Sequence, residues 1–181
     1  ERVTGVMPGY AQVPLVTQET EGIYFLGAFL WEKGLDDLAR IAARAKRPID
    51  VIGGGRDEAE FRTFAREEGA DLRFFGPNRR FWSDIGRYRG MVNPSRSEIL
   101  CTATADALVA GRHVILPDCP GNLPYKAYPN AHFYTELEGA LEALEYALTT
   151  VPEPPIAARE DFDWMSACRR LVHLAGLESE D

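Results

Sequence analysis

Apolar runs alternate with helix-patterned stretches through most of this chain, and few folds accept that order. Gly22–Phe29 (GIYFLGAF) is apolar throughout, as a strand buried on both faces should be. GLDDLARIAARA follows, with Leu35, Leu38, Ile41, Ala42 and Ala45 at the spacing of an amphipathic helix. The couplet then returns. PIDVIGGG reads as strand and turn, and DEAEFRTFAREEGA as a helix with acids early and Gly69 near its end. DLRFFG, GMVNPS, HVILPD and AHFYT read as further strands. RRFWSDIGRYR, TATADALVAG and ELEGALEALEYALTT read as helices. Strands returning roughly every 20–25 residues with helices between them imply βαβ units. The expected fold is α/β: a doubly wound, Rossmann-like parallel sheet of about six strands.

Around this core, residues 1–21 carry Pro and Gly without a period and read as a lead-in segment on the surface. Residues 22–150 form the Rossmann-like domain, and 151–181 a Pro-rich break (VPEPP) and a last helix. That helix is expected over Asp163–Leu177, with Trp164, Leu171 and Leu174 as its apolar stripe and Arg169 and Arg170 facing out. It would pack back on the sheet or cross to another domain.

The composition, 45% hydrophobic and 27% charged, is that of a globular chain. A net charge of −8 gives no general attraction to nucleic acid. Cys101, Cys119 and Cys168 are an odd, sparse set without a CxxC, which argues for a reducing compartment. His113, His132 and His173 lack metal-ligand spacing, and no metal site is expected. No apolar run reaches the length of a spanning helix.

In an open parallel sheet, ligands bind outside the carboxyl ends of the strands. Three stretches fall there. In GAFLWEKG, Lys33 beside Gly34 could join helix N-terminal amides in attracting phosphate, or be an ordinary solvated loop lysine. In GGG, Gly53 to Gly55 could admit a ligand to the backbone or simply make a tight turn. In NPSRSEILCTATADALVAG, Glu98 falls in a loop and Asp106 eight positions on, about one turn into a helix that opens with small residues. Those small residues would let phosphate reach the free amides near Cys101 and Thr102. Ionised Glu98 and Asp106 would suit sugar and ribose hydroxyls, or both acids could face water. Trp82, Tyr125, Tyr128 and Trp164 are either core aromatics or contact residues, with Tyr125 and Tyr128 in a Pro-bounded loop the better contact candidates.

YFLGAFLWEKG, NPSRSEILCTATADALVAGRHVILPD and PGNLPYKAYPNAHFY together resemble the C-terminal donor-binding domain of the digalactosyldiacylglycerol synthase family. These are plastid galactolipid glycosyltransferases of the two-Rossmann-domain (GT-B), retaining type. The resemblance runs from about Gly22 to Leu148. It implies a UDP-galactose-binding half of a galactolipid galactosyltransferase. Glu98 would hold donor galactose hydroxyls, Asp106 the ribose, and Lys33 the pyrophosphate. Gly27 and the amides near Cys101 and Thr102 would line the donor site, and Phe75 to Asn78 would cover the uracil. Glu98 and Lys33 are the catalytic candidates. The resemblance implies no cofactor beyond the UDP-sugar substrate and no bound metal. It also implies a plastid location, a separate acceptor domain or larger complex, and possible peripheral contact with a lipid membrane. Three positions depart from the family: Ala28 stands where a basic residue is usual, Asp106 where Glu is usual, and CPGN (Cys119 to Asn122) where an HPSN-like stretch is usual. These departures keep two other readings open. One is a degenerate transferase domain serving as a structural or interaction subunit, and the other is a nucleotide-sugar binder without turnover.

Overall fold

A computed structural model of the chain describes residues 8–99 and 101–176. Six strands form one sheet: β1 (Ile23–Ala28), β2 (Ile49–Gly54), β3 (Leu72–Phe75), β4 (Gly90–Val92), β5 (His113–Pro117) and β6 (Ala131–Tyr134). Every pairing is parallel, and the order is β3-β2-β1-β4-β5-β6. The expected doubly wound fold is therefore present. The order reverses between β1 and β4, where the chain departs in opposite directions and opens a crevice.

Alternate side chains of each strand feed two cores. On one face Tyr24, Ile52, Met91, Val114 and Leu116 pack with Leu108 and Phe81. On the other Ile23, Phe25, Val51, Val92 and Ile115 pack against α2 (Leu35–Ala45), α3 (Glu58–Glu67) and α5 (Leu137–Thr149). In α2, Leu35, Leu38, Ile41 and Ala42 are buried at the expected spacing, while Asp36 and Asp37 complement the dipole of the first turn. The first described residues include α1 (Pro8–Ala11), and Tyr10 and Val13 join the first core. Arg89 ties this stretch down. Only 2% exposed, its guanidinium donates to the carbonyls of Thr17, Gln18 and Thr20 and to that of Thr150 at the end of α5.

Several expectations change. The helix read over RRFWSDIGRYR is two 3-10 turns, Phe81–Ser83 and Ile85–Arg87, consistent with the weak helix preference of Ser83, Asp84 and Gly86. The Pro-rich break runs directly into a helix, α6 (Ile156–Asp161), because proline is tolerated at a helix start. The last helix, α7 (Trp164–Leu174), forms, but its apolar stripe is not packed: Trp164, Leu171 and Leu174 are 59%, 54% and 54% exposed. Its one buried side chain, Ala167, is small, and the helix packs on α6. The expected end at Leu177, and residues 1–7 of the lead-in, lie outside the described residues. Tyr125 and Tyr128 are buried rather than available for contacts: the Tyr125 hydroxyl donates to the Cys101 carbonyl and the Tyr128 hydroxyl to Asp161. Trp82 is half-buried and meets Tyr10 edge-on, which leaves Trp164 exposed among the four aromatics.

Candidate functional site

At the switch point, the chain leaving β1 turns through a 3-10 turn, Trp31–Lys33, before entering α2. Gly34 makes that turn possible. Its φ is 73°, and a Cβ there would lie 2.6 Å from the Pro94 carbonyl oxygen. The loop after β4 can therefore press against the loop after β1. The consequence is a direct ion pair between Lys33 Nζ and Glu98 Oε1, at 3.0 Å. Their side chains are 29% and 11% exposed, so the pair is partly withdrawn from water.

The crevice around this pair has a volume of about 210 Å³ and is lined by Phe25, Leu26 and Gly27 of β1, Lys33, Asn93, Glu98, and Cys101, Thr102 and Ala103. The last three open α4 (Thr102–Val109), with Cys101 as its N-cap residue. The Ala105 amide is bonded to the Cys101 carbonyl, and the amides before it belong to the first turn, where a helix has free donors. Burial pushes the Cys101 thiol up, so no thiolate competes there with an incoming anion. The crevice thus carries one cation, one anion and the first turn of a helix, which suits a ligand combining phosphate with hydroxyls.

Of the residues expected from sequence, Gly27, Lys33, Glu98, Cys101 and Thr102 come together in this crevice. Asp106 does not line it. It lies one turn further along α4, half-buried, and close enough to Tyr10 and Tyr24 to raise both phenols, after the larger effect of their burial. Burial raises the Asp106 carboxyl itself to about 7. Phe75 lies elsewhere, on the wall of a cavity with Arg73, Arg87 and Tyr88. The Asn78 side chain is engaged in shaping its own loop, donating to Asp84 and accepting from the Arg80 amide.

That other cavity is larger, about 540 Å³, but it opens where β1 and β2 begin, beside Ile23, Ile49 and Asp50. In this class of sheet the binding crevice lies at the opposite, carboxyl ends of the strands, so the smaller space is the candidate site. Among the described residues there is no group of three or more His, Cys, Asp or Glu able to hold a metal, and no helix long and apolar enough to cross a membrane.

The supporting role of the residues behind the site was not read from the sequence. A Cβ on Gly121 would collide with the Glu98 carbonyl oxygen, so the turn after β5 packs directly on the backbone that carries Glu98. Buried Asn122 donates to the carbonyls of Ser95 and Pro117, joining the loops after β4 and β5. Asn93 donates to the Thr104 hydroxyl and fixes the start of α4, and Tyr125 anchors Cys101. The visible signal was a Pro-Gly-Asn cluster, which marks a turn but not what the turn touches.

No protein-family model matches the chain. Among curated proteins it is 33% identical over 165 residues to digalactosyldiacylglycerol synthase 1, chloroplastic, of Lotus japonicus, covering 88% of this chain and 21% of the relative. It is 27% identical over 191 residues to digalactosyldiacylglycerol synthase 2, chloroplastic, of Glycine max, covering 97% of this chain and 41% of the relative. The chain therefore spans about a fifth to two fifths of the length of these relatives. Among solved structures, the lipopolysaccharide outer core galactosyltransferase WaaB, apo form, superposes with a TM-score of 0.75 at 15% identity, over 97% of this chain and 55% of that one. The pneumococcal O-GlcNAc transferase GtfA in complex with UDP and GlcNAc superposes with a TM-score of 0.70 at 15% identity, over 91% of this chain and 38% of that one. The sheet order, the switch-point crevice and these likenesses agree: the chain is a digalactosyldiacylglycerol synthase-like domain of the GT-B C-terminal type.

Proposed function

We propose that this chain is the donor-binding half of a galactolipid galactosyltransferase that uses UDP-galactose. One observation carries the reading: Lys33 and Glu98 meet beside the first turn of α4, at the carboxyl ends of β1 and β4. Relatives named digalactosyldiacylglycerol synthase, and neighbours whose structures hold UDP with a sugar, favour a UDP-sugar over other phosphorylated ligands. The chloroplastic names of the relatives support a plastid location.

In this reading the α4 amides and Lys33 receive the diphosphate. Phosphate oxygens compete with Glu98 for the lysine, and the released Glu98 carboxylate accepts hydrogen bonds from galactose hydroxyls. During transfer the bond from the anomeric carbon to the diphosphate oxygen breaks. Its electron pair leaves with UDP, where Lys33 and the amides hold the growing charge. The acceptor hydroxyl forms the new bond and passes its proton to the departing diphosphate oxygen. A crevice of 210 Å³ is smaller than the roughly 300–1,000 Å³ of small-molecule sites. That favours a site completed by a second domain, which would bring the lipid acceptor.

Calorimetry with UDP and UDP-galactose tests this. The chain binds UDP with a micromolar Kd, and Lys33→Ala weakens it about tenfold or more. Glu98→Ala leaves UDP binding intact or tighter, because it frees Lys33, but removes the extra affinity for UDP-galactose. No binding at millimolar UDP rejects the donor-site reading and leaves the interaction-subunit reading.

A further inference from the structure

We propose that Arg56, on the loop after β2, supplies a second cation to the diphosphate; this rests on the donor-site reading. The reason begins with charge. A nucleoside diphosphate brings two or more negative charges, yet the cation in the crevice, Lys33, is already paired with Glu98 at 3.0 Å. The residue that follows Gly27 at the end of β1 is Ala28, exposed and uncharged. A second cation would offset the remaining charge, and it would have to come from a neighbouring element.

The loop after β2 is built against this end of β1. Ala28 is in register with Gly54, the Phe29 amide donates to the Gly54 carbonyl, and the Asp57 amide donates to the Phe29 carbonyl. The Asp57 carboxylate in turn accepts from the Trp31 amide at 2.9 Å. Glycines permit the contact: a Cβ on Gly53 or Gly55 would strike the Gly27 or Phe29 carbonyl oxygen. Arg56 sits in the middle of this clasp, so its backbone is fixed beside the turn that carries Lys33. Its side chain is held loosely. It is 74% exposed, and its ion pairs with Glu32 and Asp57 are 3.8 and 3.4 Å long.

The other cations near the carboxyl ends of the strands are less available. Arg96 is engaged by two nitrogens with Asp37, and Lys126 with Asp118 at 2.8 Å. Arg79 and Arg80 follow β3, two strands from β1, or about 10 Å at the usual strand spacing of about 4.8 Å. Arg56 has to cross only one such spacing, within the reach of an arginine side chain. Swinging from Glu32 to the diphosphate, it would close the lip of the crevice from the β2 side, opposite the α4 amides.

The test is calorimetric titration of the 181-residue chain and its variants with UDP and with uridine, at two salt concentrations. Arg56→Gln is expected to weaken UDP about tenfold, to flatten its salt dependence and to leave uridine unchanged. Ala28→Arg added to Arg56→Gln restores UDP affinity, because it returns a cation to the same lip from β1. Arg80→Gln, as a control of equal charge change, has little effect. Unchanged UDP affinity in Arg56→Gln overturns the assignment of Arg56 and leaves the donor-site reading standing. Failure of the unmodified chain to bind UDP at all removes both.

Discussion

Asp106→Asn isolates the cost of burying a carboxylate inside this fold. In the folded chain, burial raises the Asp106 carboxyl to about 7. In the unfolded chain an aspartate titrates near 3.9. The folded state therefore holds the proton more tightly, and the contribution of this group to stability is fully present below about pH 3.9. It is lost as pH rises, and the loss is complete once pH passes about 7. At about 1.36 kcal/mol per pKa unit the ceiling is about 4 kcal/mol. Partial contact of the half-buried carboxylate with water brings the expected effect to about 2–4 kcal/mol. Asparagine has the same shape and no charge, so the variant lacks this slope. Urea unfolding of both proteins at half-unit steps from pH 3.5 to 8.5 measures the difference, with other titrating groups cancelling. Asp106→Asn should gain on the unmodified chain as pH rises and level off above pH 7. A stability difference that stays flat over that range refutes the account of Asp106 as a buried acid.

Two further outcomes test the supports of the crevice and of the core. Gly121→Ala forces a methyl into the Glu98 backbone and should cost about 1–3 kcal/mol in urea unfolding, with weaker UDP-galactose binding because the Glu98 loop moves. Arg89→Ala strands carbonyls of Thr17, Gln18, Thr20 and Thr150 and should cost about 1–3 kcal/mol, with limited proteolysis cutting first within residues 8–21.

The strands and the long helices were legible because their cause is local. A strand buried on both faces must be apolar at every position, as in GIYFLGAF, and a helix covering a sheet must repeat its apolar residues every three or four, as in LDDLARIAARA. The parts misread depend on neighbours. Tyr125 and Tyr128 look like surface aromatics between prolines until α6 and the start of α4 supply partners for their hydroxyls. The stripe of α7 has the spacing of a packed helix, but periodicity does not say whether an opposing surface exists. The site was half legible. Gly27, Lys33, Glu98, Cys101 and Thr102 could be selected because each follows a strand at its carboxyl end. The glycine and asparagine contacts behind them could not.

By itself, then, the amino-acid order determined that this chain makes a parallel α/β sheet, and which loops lie along its binding edge, since both follow from hydrophobic period and from where each strand stops. Only the tertiary structure decided that Lys33 and Glu98 neutralise one another, that Asp106 lies half-buried outside the crevice, and that Arg56 is clasped beside Ala28. Those outcomes depend on contacts between residues dozens of positions apart, set by strand register and by the closeness that Gly34, Gly53 and Gly121 allow.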